Sequence, residues 1–440
     1  MTSQMASETF EQIVARLPQA LEAEFVMTAA NEPIRIAVDN IHIHRSGTAI
    51  GTLVGEVAVH WTPTLKIVCY GDCDAHVTSL VGDTSVQLHV PAMGLTTEAS
   101  VVSVQMGERH AVRAHLRAAV NLIAEPARSF RFYLTNFPDY IGLPIKRGSG
   151  QFPELCRDRL SMNAGHVSCV VDRISHRTDS HSDTGQPGYL ITHVGEVRSN
   201  AANLSVEEMR ELLDALYWFF AFIRGARTGP ILPSTHSPYR QTWIMLAPWV
   251  INEPRDVDTW MPDRSPIDVD TLFSAFLSRW KDPVWNEGLR TTLAWHLTAN
   301  ASNTPNEARV LLCQIALEVL ASLNGSSGKH AHDRIRTLFN HLHVPTAVPE
   351  HLVELRAFAE AQSVDGPECL TRIRNKLEHP TADNRRKARD IDGLLRLQAG
   401  QYAIESFELC TLALMNYRGK YARRAFRGWK GDDEVTVPWA

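Results

Sequence analysis

At 440 residues the chain is long enough for two or three domains with a sizeable core. Its 44% hydrophobic and 21% charged residues describe an ordinary water-soluble globular protein, and its net charge of −5 excludes a broadly basic nucleic-acid-coating protein, so any nucleic-acid site must be a local basic patch. Seven cysteines, an odd number with Cys69-x3-Cys73 as the one close pair, fit neither a disulfide framework nor a structural zinc site. They read as reduced and mostly buried, which points to the cytosol. The opening MTSQMASETFEQIVARL carries acids and no long apolar run, so it is not expected to be a signal peptide. Nowhere does an apolar run reach the roughly 18 residues of a membrane span.

The spacing predicts a first amphipathic helix over Ser7–Phe25, with Phe10, Ile13, Val14, Leu17 and Leu21 on one side. The period then drops to two. Ile34–Val38, Ile41–His44, Val57–Trp61, Leu65–Cys69, Val86–Val90 and Val101–Val104 alternate like strands, with Gly47, Gly51 and Gly55 as punctuation. Further strands are expected at Ala111–Ala119, Phe130–Leu134, His166–Val171 and Tyr189–Val197. Short strands separated by turn residues predict a sandwich or barrel. His42 and His44 share a strand face but lack a third ligand nearby, and His176 and His181 lie in the polar loop Ser175–Pro187. No phosphate-binding glycine loop, nucleophile elbow or H-E-x-x-H helix is present in the sequence. No metal or cofactor is therefore expected.

Ser205 followed by Glu208 forms a capping box that opens a helix through Gly225. That helix is apolar nearly all round, through Leu212, Leu213, Leu216, Trp218, Phe219, Phe220 and Phe222, and so should be buried. Thr228–Pro266 is rich in Pro and Trp and reads as a connector with short strands, packing two halves together through Trp243, Trp249 and Trp260. From Asp268 onward the helical period persists. Helices are predicted at Asp268–Trp280, Pro283–Ala299, Asn306–Leu323, His330–His341, Pro349–Glu360, Pro367–Glu378 and Asn384–Tyr417, with Gly393 and Gly400 as potential breaks in the last. The fold class is thus α+β: a β-rich region over 1–200, a buried helix and connector over 201–267, and an all-α bundle over 268–440.

The stretch PECLTRIRNKLEHP, Pro367–Pro380, gathers the chemistry. Leu370, Ile373 and Leu377 form its apolar stripe, and Pro380 ends the helix by restricting the residue before it. Arg374, Asn375 and His379 fall on its last turn and a half, with Asn375 and His379 on one face. A guanidinium, an amide and an imidazole at a helix end suit a phosphate-bearing substrate. Arg372, Lys376, Arg385, Arg386 and Lys387 surround them as candidates for holding an RNA backbone. On a purely structural reading, Arg374 pairs with Glu378 or another acid, and His379 is a cation on the helix dipole.

Arg374-Asn375-x-x-x-His379, with Pro380 after it and a helical run around it, resembles the R-x4-H motif of the HEPN superfamily over about Thr304–Tyr421. The layout also resembles abortive-infection proteins that join a β-rich region to a HEPN domain. The resemblance implies a HEPN-like bundle and a metal-independent endoribonuclease of phage defence or a toxin system. Its targets would be tRNA, rRNA or mRNA, its regulator a phage-derived trigger or an antitoxin, and its amino-terminal half a sensor or restraint. A second reading is a non-catalytic, HEPN-like dimerisation or RNA-binding protein with a ligand-binding β domain. Because one motif supplies one imidazole while transesterification needs proton removal and proton donation, a homodimer facing two motifs, or a higher assembly made of such dimers, is expected. It would be joined through the carboxy-terminal helices, with Asn306–Leu323 and Ile404–Met415 as contact surface.

Overall fold

The computed structural model describes residues 10–73, 85–106, 110–117, 126–148, 153–174, 188–237, 240–243, 245–253, 257–378, 391–424, 429 and 431–440. The chain is α+β, as its patterning predicts. Helix α1 (Phe10–Arg16) is shorter than its apolar spacing implies, because Pro18 ends it. The chain beyond runs extended, exchanging backbone hydrogen bonds with Lys146 through Pro18 and Ala20.

Strands β1 (Ile34–Arg45), β2 (Thr48–His60), β3 (Lys66–Cys73), β4 (Val86–Val90), β5 (Leu95–Gln105) and β6 (His110–Leu116) close into a barrel in the order β1-β2-β3-β6-β5-β4, every pairing antiparallel. Alternation fills its core with Ile41, Ile43, Leu53, Val57, Val59, Ile67, Cys69 and Leu88. The two predicted runs Ile34–Val38 and Ile41–His44 are one continuous strand. His42 stacks on His89, ring centroids 6.0 Å apart, and its Nδ1 lies 3.3 Å from the Thr52 hydroxyl. Among the described residues no group of three metal-binding side chains gathers anywhere; His176 and His181 lie outside them.

A second sheet has the order β13-β12-β7-β11-β10-β9-β8. Its strands are β7 (Ser129–Thr135), β8 (Leu143–Arg147), β9 (Glu154–Ala164), β10 (Val167–Arg173), β11 (Ile191–Ser199), β12 (Ile231–Ser237) and β13 (Arg240–Trp243). It is the middle layer. Phe130, Phe132 and Leu134 join the core of the helices, whereas Tyr133, Ile191, Val194 and Ile231 join the core of the barrel. Gly195 leaves room for the Phe132 ring across the strand pair, where any Cβ would collide with it. Helix α2 (Val206–Arg224) starts at the predicted capping box, Ser205 Oγ accepting from Glu208 N and Glu208 Oε2 accepting from Ser205 N. It is buried along nearly its whole length. Trp260, from the connector, donates from its indole nitrogen to Phe222 O at 3.0 Å and packs its ring on Phe222 and Tyr417, fastening α2 to the end of the chain.

Among the described residues seven helices follow: α3 (Val269–Trp280), α4 (Pro283–Asn300), α5 (Asn306–Leu323), α6 (Ala331–His341), α7 (Val353–Ala361), α8 (Gly366–Glu378) and α9 (Gly393–Leu414). The hairpin β14 (Lys420–Ala422) and β15 (Glu434–Thr436) ends the chain. Gly400 does not break α9. It lies within the helix against Arg309 of α5, where an added Cβ would make only ordinary contacts. The real start is Asp392, whose carboxylate accepts from Leu395 N at 2.7 Å. Ile404, Phe407, Leu409, Leu412, Leu414 and Met415 are all buried in the chain's own core, so this stretch offers no surface to a second copy. All seven cysteines are free, six of them buried. Among the described residues no helix is long and apolar enough to cross a membrane.

A buried polar network ties the terminal hairpin to α9 and α4. Arg424 donates from Nε to Glu408 Oε2 at 3.0 Å and from Nη1 to Asn300 Oδ1 at 2.9 Å, while Glu408 Oε1 lies 3.1 Å from His296 Nε2. Beside it, Glu405 accepts from the Tyr421 hydroxyl at 3.2 Å and from Arg424 N at 3.3 Å. Burial, with the Glu408 charge adding to it, pushes the Glu405 carboxyl up from 4.5 to about 7. Between those two pH values the native state holds a proton that the unfolded chain has released. Stability therefore falls as pH rises through this window and levels off on either side. The contribution is on the order of 3 kcal/mol. Glu405→Gln should remove most of the difference between denaturation free energies measured at pH 5 and pH 7.5; an undiminished difference would assign the pH dependence elsewhere.

Candidate functional site

Helix α8 carries the motif and is held at both sides. Asp365 accepts from Glu368 N at 3.0 Å, and Arg336 of α6 binds Asp365 and Glu368 together, fixing the start of the helix. Gly366 sits under the Tyr402 hydroxyl and the Thr346 carbonyl, so the first turn packs against α9 at a distance only glycine allows. Leu370 and Ile373 are buried and Leu377 packs on the same core, which is the predicted stripe. Across the helix pair, Gln314 of α5 donates to Thr371 Oγ1 at 3.1 Å in a fully buried contact.

This packing turns Arg374 toward α5. Its Nη2 lies 3.4 Å from Glu318 Oε1, and its Nη1 donates to Asn375 Oδ1 at 3.0 Å. Glu318 Oε2 accepts from Arg334 of α6 at 2.7 Å, so one carboxylate holds two guanidiniums from different helices. The acid that Arg374 meets is thus 56 residues away in sequence. All three side chains are partly exposed, Arg374 at 22%, and they line an open cavity of about 570 Å³ with Ile315, Val319, Ser322, Gly325 and Ser326. A concave site presenting two oriented cations is suited to binding an anion, and a phosphate above all.

The other sequence candidates divide. Asn375 is exposed beside Arg374 and sets one of its donors. Arg372 turns the other way, binding Glu368 at 2.7 Å and Gln362 at 3.1 Å, and Lys376 lies over the Phe358 ring of α7, 4.9 Å from its centroid. Both are engaged on the α7 side rather than in the cavity. His379, Arg385, Arg386 and Lys387 lie outside the described residues, His379 being the position directly after the end of α8. Glu318, Arg334 and Ser326 were not legible as site residues. The available signal for Glu318 was an acid facing outward from a mainly apolar helix.

The chain is similar to two family descriptions: the YopA central domain over residues 124–257 and the YopA C-terminal domain over residues 282–434. The first region covers the seven-stranded sheet with α2, and the second runs from α4 to β15; the barrel precedes both. The SPbeta prophage-derived uncharacterized protein YopA of Bacillus subtilis (strain 168) is 25% identical over 434 residues, covering 92% of this chain and 94% of its own. No solved structure matches.

Proposed function

We propose that the chain is a metal-independent, HEPN-type endoribonuclease acting in phage defence or as a toxin, with Arg374, Asn375 and His379 as its catalytic group. The observation that carries this reading is the placement of Arg374 on an open cavity, paired with Glu318 and Asn375, less than two turns before His379 in the sequence. The prophage origin of the YopA relative suits a role in conflict between phage and host.

In this reaction the His379 imidazole takes the proton of a ribose 2′-hydroxyl, whose oxygen attacks the adjacent phosphorus. Arg374 binds the phosphate oxygens as charge builds on them. The bond to the 5′-oxygen breaks, that oxygen receives a proton from a second imidazole, and a 2′,3′-cyclic phosphate remains. The second imidazole comes from His379 of a second copy related by a two-fold axis, making the protein a homodimer. With Ile404–Met415 spent on the core, the contact falls to α5 and its exposed Ile315. The amino-terminal half acts as sensor or restraint.

Purified chain incubated with total RNA should cleave it equally with and without EDTA, and His379→Ala should reduce cleavage by about 10²–10⁴-fold. Light scattering on the same sample should give a dimer. Cleavage unchanged in the variant would remove the assignment; a cleaving monomer would remove the composite site alone.

A further inference from the structure

We infer that Arg334, Arg374 and Ser326 form a binding subsite for one phosphodiester group of a nucleic-acid strand. Ser326 is 93% buried, and its hydroxyl meets no hydrogen-bond partner among the described residues. A hydroxyl that stays dry and unpaired costs stability, and such groups recur where a ligand supplies the missing partner. It lines the same cavity as the two arginines. The turn that presents it is fixed: Ser326 N donates to Ala321 O at 2.8 Å and Gly325 N to Ser322 O at 3.0 Å, closing the end of α5. Gly325, at φ +70°, leaves open space above itself, where a Cβ would meet nothing within 4 Å.

The charge sets the ligand class. Among the described residues, Arg334 and Arg374 are the cations lining the cavity and Glu318 the anion, so two positive charges against one negative leave an excess of one. A phosphodiester carries one negative charge. Guanidinium forks donate to its two free oxygens bidentately, and a serine hydroxyl adds a neutral donor. Glu318 remains as the strut that keeps the forks apart and aimed. The cavity is large enough for a phosphate with its flanking sugars.

This inference rests on the ribonuclease reading for the nature of the strand, and binding can be measured without cleavage. A fluorescent single-stranded oligonucleotide of 2′-O-methyl RNA, which has no attacking hydroxyl, is titrated against the full chain at several salt concentrations. Arg334→Gln should weaken binding about tenfold and lower the slope of log K against log salt by about one. Ser326→Ala should weaken binding several-fold with an unchanged slope, because it removes a neutral donor. The same substitution should leave the melting temperature level or raised, since it deletes an unpaired buried hydroxyl. A purely structural serine would instead lose melting temperature and keep affinity. No binding by the native chain, or native affinity and slope in both variants, overturns the subsite. If native RNA is cut while the variants bind normally, the subsite falls and the nuclease stands; if binding follows the pattern without any cleavage, the nuclease falls and the subsite stands.

Discussion

Arg424→Ala should cost about 3–5 kcal/mol of folding stability, the loss observed when one partner of a buried ion pair is removed. Arg424 is 6% exposed and Glu408 1%, and the guanidinium makes contacts to Glu408 and Asn300 at once. Burial alone works against the Glu408 charge, yet Arg424 and His296 hold its carboxylate below the ordinary range. Without the guanidinium, Glu408 would stay charged in the core beside His296 and Glu405, or would take up a proton at neutral pH. Replacing both partners, Arg424→Met with Glu408→Leu, should recover much of the loss, because the desolvation of the two charges disappears together. Chemical denaturation of the native chain, Arg424→Met, Glu408→Leu and the double variant measures the coupling directly. A loss below about 1 kcal/mol in the single variant would mean the pair is solvated and behaves like a surface bridge. The terminal hairpin packs on the helix that follows the motif, so this network, with the Trp260–Tyr417 contact, holds the last part of the chain to the bundle.

The parts of this architecture that are legible in the sequence are those with a local period. Ile41 and Ile43 enter the barrel because alternation puts them there, and the described helices after Asp268 follow from apolar spacing. Strand β9 escapes the same reasoning. Its Glu154–Arg159 half is mostly charged, and it is held partly by a contact from afar, Arg159 donating from Nη2 to Gln19 O at 2.9 Å. The first helix was overextended because an apolar stripe continues past Pro18 while the backbone cannot. For the site, a short motif marks Arg374, but its surroundings come from α5 and α6, and no spacing encodes which acid a helix will face after folding. The same limit applies to Arg372 and Lys376. Counted as sequence neighbours they are a basic patch; in the fold they are occupied by Glu368, Gln362 and Phe358.

The second large effect concerns Arg374 itself. Arg374→Ala should lower kcat for RNA cleavage by about 10²–10³-fold, the loss typical of deleting one oriented donor to a developing oxyanion. Folding should change less than on Arg424→Ala, because the bridge to Glu318 is long at 3.4 Å and less deeply buried than the Arg424–Glu408 pair. That separation of rate from stability distinguishes a catalytic guanidinium from a structural one. Arg374→Lys should recover only part of the rate: an ammonium restores the charge but neither the planar fork nor the contact to Asn375 Oδ1 in the same geometry. Glu318→Ala makes the complementary test. Removing the carboxylate takes away the one negative charge that Glu318 sets beside Arg334 and Arg374, which raises the attraction for RNA and lowers KM, yet it also loosens the aim of Arg374 and lowers kcat. Single-turnover kinetics separates the two terms. Opposite movements of KM and kcat in Glu318→Ala, together with a stable but slow Arg374→Ala, identify a positioned cation. Equal rates in all three proteins would return Arg374 to the role of a bridge between α5 and α8.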